Sequence, residues 1–296
     1  MNVIKSTAHI VCCMALVLGM ACGGSGGTPV AAGMTITAAN AEDAAAAAMA
    51  GMDDMFGGTE FVTDALDEGF ECVTGSIVIT ENDVPPVGQA NVGDTITLTF
   101  NACTDGAGAM INGSMTLRIT AFSGDVNNPP VTLGFSVTFN NLTFTEGGDS
   151  FTVTGGFTMT MTDNGAGTTT IVMSGTSFAI TGMDQGVPIN ESLTNFRFAV
   201  SFNDNTGDYS LDFSGTISDG ELGGSVSFDT TTPFQGTAFG QLDLDNPDSG
   251  VMVVTGAGGS MVILTVTGPN TIQIQVDEDG DGNFETTINT TWDALD

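Results

Sequence analysis

The stretch FTVTGGFTMTMTD, Phe151–Asp163, alternates apolar residues with threonines along its length. One side of an extended chain would carry its large apolar residues, which are Phe151, Val153, Phe157, Met159 and Met161. Strict alternation indicates an antiparallel β-strand with one buried face and one face in water. The strands are also expected to be long, because a strand of eleven residues extends about 36 Å, roughly twice the usual length.

The same alternation continues through the chain from position 70 onward. It is clear in DYSLDFSGTIS, Asp208–Ser218, and in NFRFAVSF, Asn195–Phe202. A degenerate repeat of Gly, then Ser or Thr, then alternating apolar residues begins at Gly75, Gly113, Gly156, Gly175, Gly215, Gly224 and Gly259. A glycine inside a strand usually marks a bulge or a bend. We therefore predict an all-β fold of ten to thirteen long antiparallel meandering strands, curled into a sandwich or a barrel-like sheet.

The region before the strands has a different composition. NAEDAAAAAMAGMDDMF, residues 40–56, contains an alanine run that favours a helix, with Asn40 as the predicted N-cap. We predict one short helix from Ala41 to about Met55. The predicted organisation is a signal peptide at 1–21, a flexible tether at 22–38, a short helical segment at 39–69 and a single β domain at 70–296.

The first 21 residues read MNVIKSTAHIVCCMALVLGMA, with Lys5 ahead of an apolar run from Ile10 to Met20. The run is shorter than the ~20 residues needed to cross a bilayer, so it indicates a secretory signal peptide. Together with Ala21, Cys22 and the Gly/Ser tail that follows, it resembles the signal of bacterial lipoproteins. Gly19 stands where those proteins usually carry Leu.

The lipoprotein resemblance implies that cleavage makes Cys22 the first residue and that Cys22 is acylated. By the sorting rule of that family, Gly23 directs the product to the outer membrane, on its periplasmic or its outer face. Several acyl chains hold a protein stably on a membrane. The alternative is ordinary secretory cleavage, which leaves Cys22 as a free thiol.

Five cysteines are present, and Cys12 and Cys13 lie in the signal peptide. If Cys22 carries lipid, Cys72 and Cys103 remain as an even pair in an oxidising compartment. We predict one disulfide between them, joining two neighbouring strands. The alternative is two buried thiols.

The charge is strongly one-sided, with 35 Asp and Glu against 3 Lys and Arg and a formal net charge of −32. Nucleic acid is excluded as a partner, because binding it requires cationic neutralisation of the phosphates. An anionic membrane surface would repel the body of the protein, so the predicted membrane partner is reached through the lipid anchor.

The stretch QVDEDGDGNFE, Gln275–Glu285, places five carboxylates around two glycines. It resembles the D-x-D-x-D-G-x-x-D/E calcium loops of integrin-type propellers. The resemblance implies a Ca²⁺ ion held by four side chains and by the backbone carbonyl of Asn283; the side chains are Asp277, Asp279, Asp281 and Glu285. A hard divalent cation would turn the repulsion between these carboxylates into coordination. The alternative is a solvated Asp-Gly turn.

The chain is poor in catalytic side chains. Its single histidine, His9, lies in the signal peptide, and Lys5 is its only lysine. A mature protein that lacks His and Lys cannot use Ser-His-Asp or Cys-His catalytic systems, histidine-bound zinc or Schiff-base chemistry. We predict a non-enzymatic envelope lipoprotein with a structural or binding role, stabilised by calcium, with polysaccharide or an envelope protein as partner.

Two other functions remain open at this stage. The first is a carbohydrate- or polymer-binding surface module, for which Trp292 and Tyr209 are the available aromatic platforms. The second is a carboxylate-dependent hydrolase, which would use two of the many acids. Arg118 and Arg197 each lie on the polar face of a predicted strand, where an ion pair with a neighbouring acid is expected.

Overall fold

The computed structural model describes residues 33–49, 72–104, 108–126, 128–220, 222–237 and 246–295. The predicted signal peptide, Cys22 and most of the predicted tether lie outside these residues. The strands are β1 (Thr74–Asn82), β2 (Thr95–Thr104), β3 (Met110–Asp125), β4 (Asn128–Glu146), β5 (Asp149–Asp163), β6 (Thr168–Asp184), β7 (Val187–Asn203), β8 (Asp208–Asp219), β9 (Gly224–Thr237), β10 (Ser249–Thr255), β11 (Met261–Gly268), β12 (Thr271–Asp277) and β13 (Thr286–Thr290).

The thirteen strands of the described residues belong to one sheet, and within this part of the chain each strand pairs only with its neighbours in the sequence. Every pairing between them is antiparallel, so the sheet is an up-and-down meander. The prediction of an all-β meander with one short helix is confirmed. The strands form a single sheet rather than the two of a sandwich, and in the described residues β1 and β13 do not pair to close it.

The apolar face of the sheet carries the core, and its aromatic side chains form a connected series. Phe213 stacks on Phe198 at 6.0 Å and on Phe234 at 5.6 Å between ring centroids. Phe234 in turn meets Trp292 edge-to-face at 6.0 Å. Phe234 lies in β9 and Trp292 follows β13, so this contact requires the sheet to curve over its apolar face. Burying each large apolar side chain contributes about 1.5–3 kcal/mol.

One residue of the opening stretch departs from the predicted burial. Val153, Phe157, Met159 and Met161 are buried as expected, whereas Phe151 is 41% exposed. Phe151 lies at the start of β5 beside the hairpin from β4, and it stacks on Phe144 at 4.7 Å. The alternation therefore predicts the face correctly, but the end of the strand extends beyond the core.

Bulges bend the long strands where glycines interrupt them. Gly75 and Gly113 have φ angles of 81° and 103°, and the pairing register shifts at both. Such angles are open to glycine at no steric cost. Gly215 also lies opposite a bulge, because two residues of β7 between Thr194 and Arg197 face it alone. On its other side β8 and β9 stay in register, and a Cβ at Gly215 would lie 3.0 Å from the Phe228 ring, so the glycine also makes room for that ring.

The short helix α1 covers residues 41–49 and belongs to the same core. Ala41, Ala44, Ala45 and Ala48 are fully buried, at the spacing that places them on one helical face. The Asn40 carbonyl accepts the Ala44 N–H, which begins the helix as predicted. The Asn40 side chain turns away from the helix and accepts the Thr37 N–H at 2.7 Å. The predicted end near Met55 lies outside the described residues.

Residues 33–38, predicted as part of the flexible tether, pack against the sheet instead. Met34 donates its N–H to Ser225 of β9 and accepts a hydrogen bond from the Ala257 N–H. Ile36 is fully buried, and its N–H bonds the Ser260 hydroxyl at 2.9 Å. Met34 and Ile36 alternate with threonines, so this segment follows the strand pattern of the main domain.

The predicted disulfide between Cys72 and Cys103 is present, with a Cα–Cα distance of 5.1 Å. It joins the residues just before β1 to β2, the neighbouring strand. A disulfide fits a protein that is exported to an oxidising compartment. Within the described residues, no helix has the length and apolar character that crossing a membrane requires.

Candidate metal centre

The acidic loop, Asp277–Glu285, connects the last two strands of the sheet. β12 ends at Asp277, β13 begins at Thr286, and Val276 pairs with Thr286 across the base of the loop. The Glu285 N–H also donates to the Val276 carbonyl at 3.0 Å. Both ends of the loop are therefore held by the sheet, which brings its carboxylates back over the end of β12.

Asp277 is the buried member of the loop, with no exposed surface. Its two carboxylate oxygens accept the N–H groups of Gly280, at 2.7 Å, and Gly282, at 2.8 Å. Gly280 and Gly282 have φ angles of 75° and 88°, which fold the loop around the carboxylate. A carboxylate has about four lone-pair sites, so each oxygen keeps capacity for a cation.

The other acidic residues predicted as ligands are exposed; they are Asp279, Asp281 and Glu285. Asp279 accepts the Asp281 N–H at 3.2 Å, and Glu285 accepts the Glu278 N–H at 2.9 Å. Asp281 accepts hydrogen bonds from both the N–H and the side-chain amide of Asn283. These bonds, the backbone one first, hold the pKa of the Asp281 carboxyl below its ordinary value of 3.8, and the smaller opposing effect is desolvation.

Four of the predicted ligands come together as the loop pattern implied. One carboxylate oxygen from each can be chosen so that all four lie within 4.8 Å of one another; the residues are Asp277, Asp279, Asp281 and Glu285. Like charges this close repel by about 1 kcal/mol per pair in water and about 4 kcal/mol at an effective dielectric of 20. A cluster of this geometry can hold a metal ion. The role of the Asn283 carbonyl stays a prediction.

Sequence reasoning missed two contacts that brace the acidic loop. Glu278 accepts the Ala38 N–H at 2.8 Å, which links the loop to the N-terminal segment. Gly280 packs against the turn between β10 and β11. A Cβ added to Gly280 would lie 2.9 Å from the carbonyl carbon of Gly259 in that turn. In the sequence, nothing distinguishes Glu278 from the other acidic residues of the loop. Its partner lies 240 residues away, and no local signal indicates such a pairing.

Neither aromatic residue considered as a carbohydrate platform is on the surface. Trp292 is 5% exposed and Tyr209 is 4% exposed. Both rings are part of the core, so neither can present a face to a sugar. The Trp292 indole N–H is buried and has no hydrogen-bond partner in the described part of the chain.

The two arginines lie in one row across the polar face. Arg118 of β3 is opposite Ser136, which is opposite Thr158, then Ser174, and finally Arg197 of β7. The row crosses four strand spacings, about 19 Å. Arg197 bonds Asp212 at 2.5 Å, as expected for a surface ion pair, and Arg118 is exposed.

Comparison of the chain with protein-family models, with curated proteins and with solved structures found no match.

Proposed function

We propose that this chain is an exported, acyl-anchored lipoprotein of the bacterial cell envelope, with a non-enzymatic structural or binding role and a bound Ca²⁺ ion. The signal-like start and Cys22 support the anchor, and the Cys72–Cys103 disulfide supports export. The scarcity of His and Lys supports a role without catalysis.

The observation that carries the calcium proposal is the size of the carboxylate cluster. Oxygens on opposite sides of Ca²⁺, each 2.3–2.6 Å from the ion, are about 4.6–5.2 Å apart. Around Mg²⁺, at 2.0–2.1 Å, the largest separation is about 4.2 Å. The four chosen oxygens lie within 4.8 Å of one another, a separation that the calcium shell accommodates. Calcium also accepts the irregular geometry of an exposed loop.

The proposed role of the ion is to fasten the end of the sheet. The acidic loop joins β12 to β13, contacts the β10–β11 turn through Gly280 and holds the N-terminal segment through Glu278. Neutralising the carboxylates removes the repulsion that would otherwise open the loop. The ion therefore supports the edge strand β13 and the segment that leads back toward the proposed anchor.

Calcium titration with a matched pair of variants tests this proposal. We expect calorimetry to give one site per chain, with weaker binding of Mg²⁺. Glu285→Gln removes a ligand and should weaken calcium binding at least tenfold. Glu146→Gln makes the same change at an exposed acid of the β4–β5 hairpin and should leave the affinity unchanged. Equal affinities for the two variants would contradict the assignment.

The anchor is tested separately by the mass of the native product. We expect mass spectrometry of protein from its own membranes to show a chain that begins at an acylated Cys22. Cys22→Ser should release the protein from the membrane fraction. A native chain that carries an unmodified residue at this position would refute the lipoprotein proposal and leave the calcium proposal standing.

A carbohydrate-binding role is the second candidate, and the row from Arg118 to Arg197 favours it. The row offers hydroxyl groups between two guanidinium groups on an exposed sheet face. A polysaccharide has hydroxyl and ether oxygens along its length that such a row could bond. Arg118→Gln should abolish retention on a polysaccharide array, whereas Glu146→Gln, at the β4–β5 hairpin away from the row, should not. An array on which the unmodified protein binds nothing would exclude this role.

A further inference from the structure

Strand β1 forms one edge of the sheet and is exposed on both of its faces. Only Ile77 among its nine residues is half-buried, while Val78 is 49% exposed and Ile79 is 61% exposed. In the described residues no strand pairs with β1 on the side away from β2. The outer edge of β1 therefore presents backbone N–H and C=O groups beside apolar side chains.

Exposed apolar surface is concentrated around this edge. Among the described residues, the large apolar side chains with substantial exposure are Val73, Val78, Ile79, Val87, Val92, Phe151, Met183 and Val187. Val73, Val78 and Ile79 lie in β1 or directly before it, and Val87 and Val92 lie in the connection from β1 to β2. An exposed edge strand that carries apolar side chains is a site for pairing with another chain.

β1 also lacks the features by which natural proteins prevent edge strands from pairing with each other. Such edges are usually very short or carry Lys, Pro or a bulge that turns the edge away. The opposite edge, β13, is short, with five residues. β1 has nine residues without Pro or Lys, and Glu81 is its only charged residue. The bulge in this pair belongs to β2 and lies opposite Gly75, at one end of β1, so the segment from Ser76 to Asn82 is regular.

We infer that β1 pairs antiparallel with β1 of a second copy of this chain, about a twofold axis at Val78. This register is self-complementary. Ile77 of each copy lies opposite Ile79 of the other, and the two Val78 residues meet on the other face. Each Glu81 lies opposite Gly75, so no like charges face each other across the new pair.

The size and charge of the interface make the dimer weak and dependent on salt. A nine-residue strand is about 30 Å long and a sheet is about 10 Å thick, which gives about 600 Å² of total contact. This lies below the ~1,000 Å² of a stable interface, so we expect a dissociation constant of micromolar or weaker. Each copy carries a formal charge of −32, so repulsion should weaken as the Debye length falls from about 10 Å at 0.1 M salt to about 3 Å at 1 M.

Sedimentation and hydrogen exchange test the dimer in solution. The experiment uses the full chain with Cys22→Ser, which removes both the proposed acyl chain and its thiol. We expect a dimer that grows with protein concentration and with salt, together with amide protection in residues 74–82 that rises in parallel. Ile79→Lys should abolish both effects. Val187→Lys, at a similarly exposed apolar site at the start of β7, should abolish neither.

Each other outcome overturns the inference in a distinct way. A protein that stays monomeric at every concentration in high salt, with fast amide hydrogen exchange in β1, would show that the β1 edge is unpaired. Protection that does not depend on concentration would show that this chain covers its own edge. A dimer that survives Ile79→Lys would place the interface elsewhere.

Discussion

Replacing Asp277 with asparagine tests both the buried carboxylate and the proposed ion. The amide side chain keeps one acceptor oxygen but turns a donor group toward the second N–H. The variant therefore loses one hydrogen bond to a charged acceptor, which contributes about 1.5–3 kcal/mol. The substitution also removes repulsion from three carboxylates within 4.8 Å, about 0.9 kcal/mol each in water and about 3.5 kcal/mol each at an effective dielectric of 20.

Without an ion these two effects oppose each other, and the lost repulsion is about as large as the lost hydrogen bond or larger. We therefore expect Asp277→Asn to leave the free energy of unfolding of the metal-free protein within about 1 kcal/mol of its original value or to raise it. With Ca²⁺ at a hundred times its dissociation constant, the unmodified protein gains about 2.7 kcal/mol. For a domain of this size that gain raises Tm by about 5–11 °C. The variant should lose most of this rise.

The assay is thermal unfolding followed by calorimetry, in excess chelator and in calcium, for the unmodified protein, Asp277→Asn and Asp229→Asn. Asp229 is an exposed acid of β9 outside the acidic loop, so its variant controls for the loss of one charge. An unchanged Tm of the unmodified protein in calcium would refute the proposed ion site. An equal drop in Tm for Asp277→Asn with and without calcium would also refute it, because the carboxylate would then act only through its hydrogen bonds.

Three further predictions concern the disulfide, a bulge and acid stability. Replacing Cys72 and Cys103 together with Ala should lower the free energy of unfolding by about 3.7 kcal/mol in urea titrations, from the sequence separation of 31; an unchanged midpoint would refute this. Gly113→Ala should cost about 2–4 kcal/mol, because its Cβ would lie within 2.1 Å of a backbone oxygen, whereas Gly147→Ala, with a positive φ in open space, should cost about 1–2 kcal/mol. Because the folded pKa of Asp281 is lowered, its stabilising effect is present above the unfolded pKa and is lost as pH falls through the folded one. Urea titrations between pH 7 and pH 3 should therefore show a shallower acid loss for Asp281→Asn than for the unmodified protein, and identical slopes would contradict the assignment.

Local sequence patterns were sufficient to predict most of the fold. Alternation with period two depends only on the two faces of a strand, so it predicted long antiparallel strands and most of the buried residues of β5. It did not show that Phe151 extends beyond the core, because burial at a strand end depends on the neighbouring hairpin. It also missed residues 33–38, whose short alternation was overlooked beside the glycine-rich tether.

The candidate site shows the same division between local and distant information. The D-x-D-x-D-G spacing predicted which four carboxylates meet, because a tight loop brings its own side chains together. The bond from Ala38 to Glu278 and the contact of Gly280 with Gly259 had no such signal, since they join segments far apart in the chain.

The sequence by itself determined the all-β class, the acidic surface, the pair of cysteines and the composition of the acidic loop, because each depends on residue type and near-neighbour spacing. Only the tertiary structure decided that the sheet is open in the described residues with β1 at its edge, that Arg118 and Arg197 share one row, and that Trp292 is buried against Phe234. These features depend on strand register and on the curvature of the sheet, which arise from packing between residues that are distant in the chain.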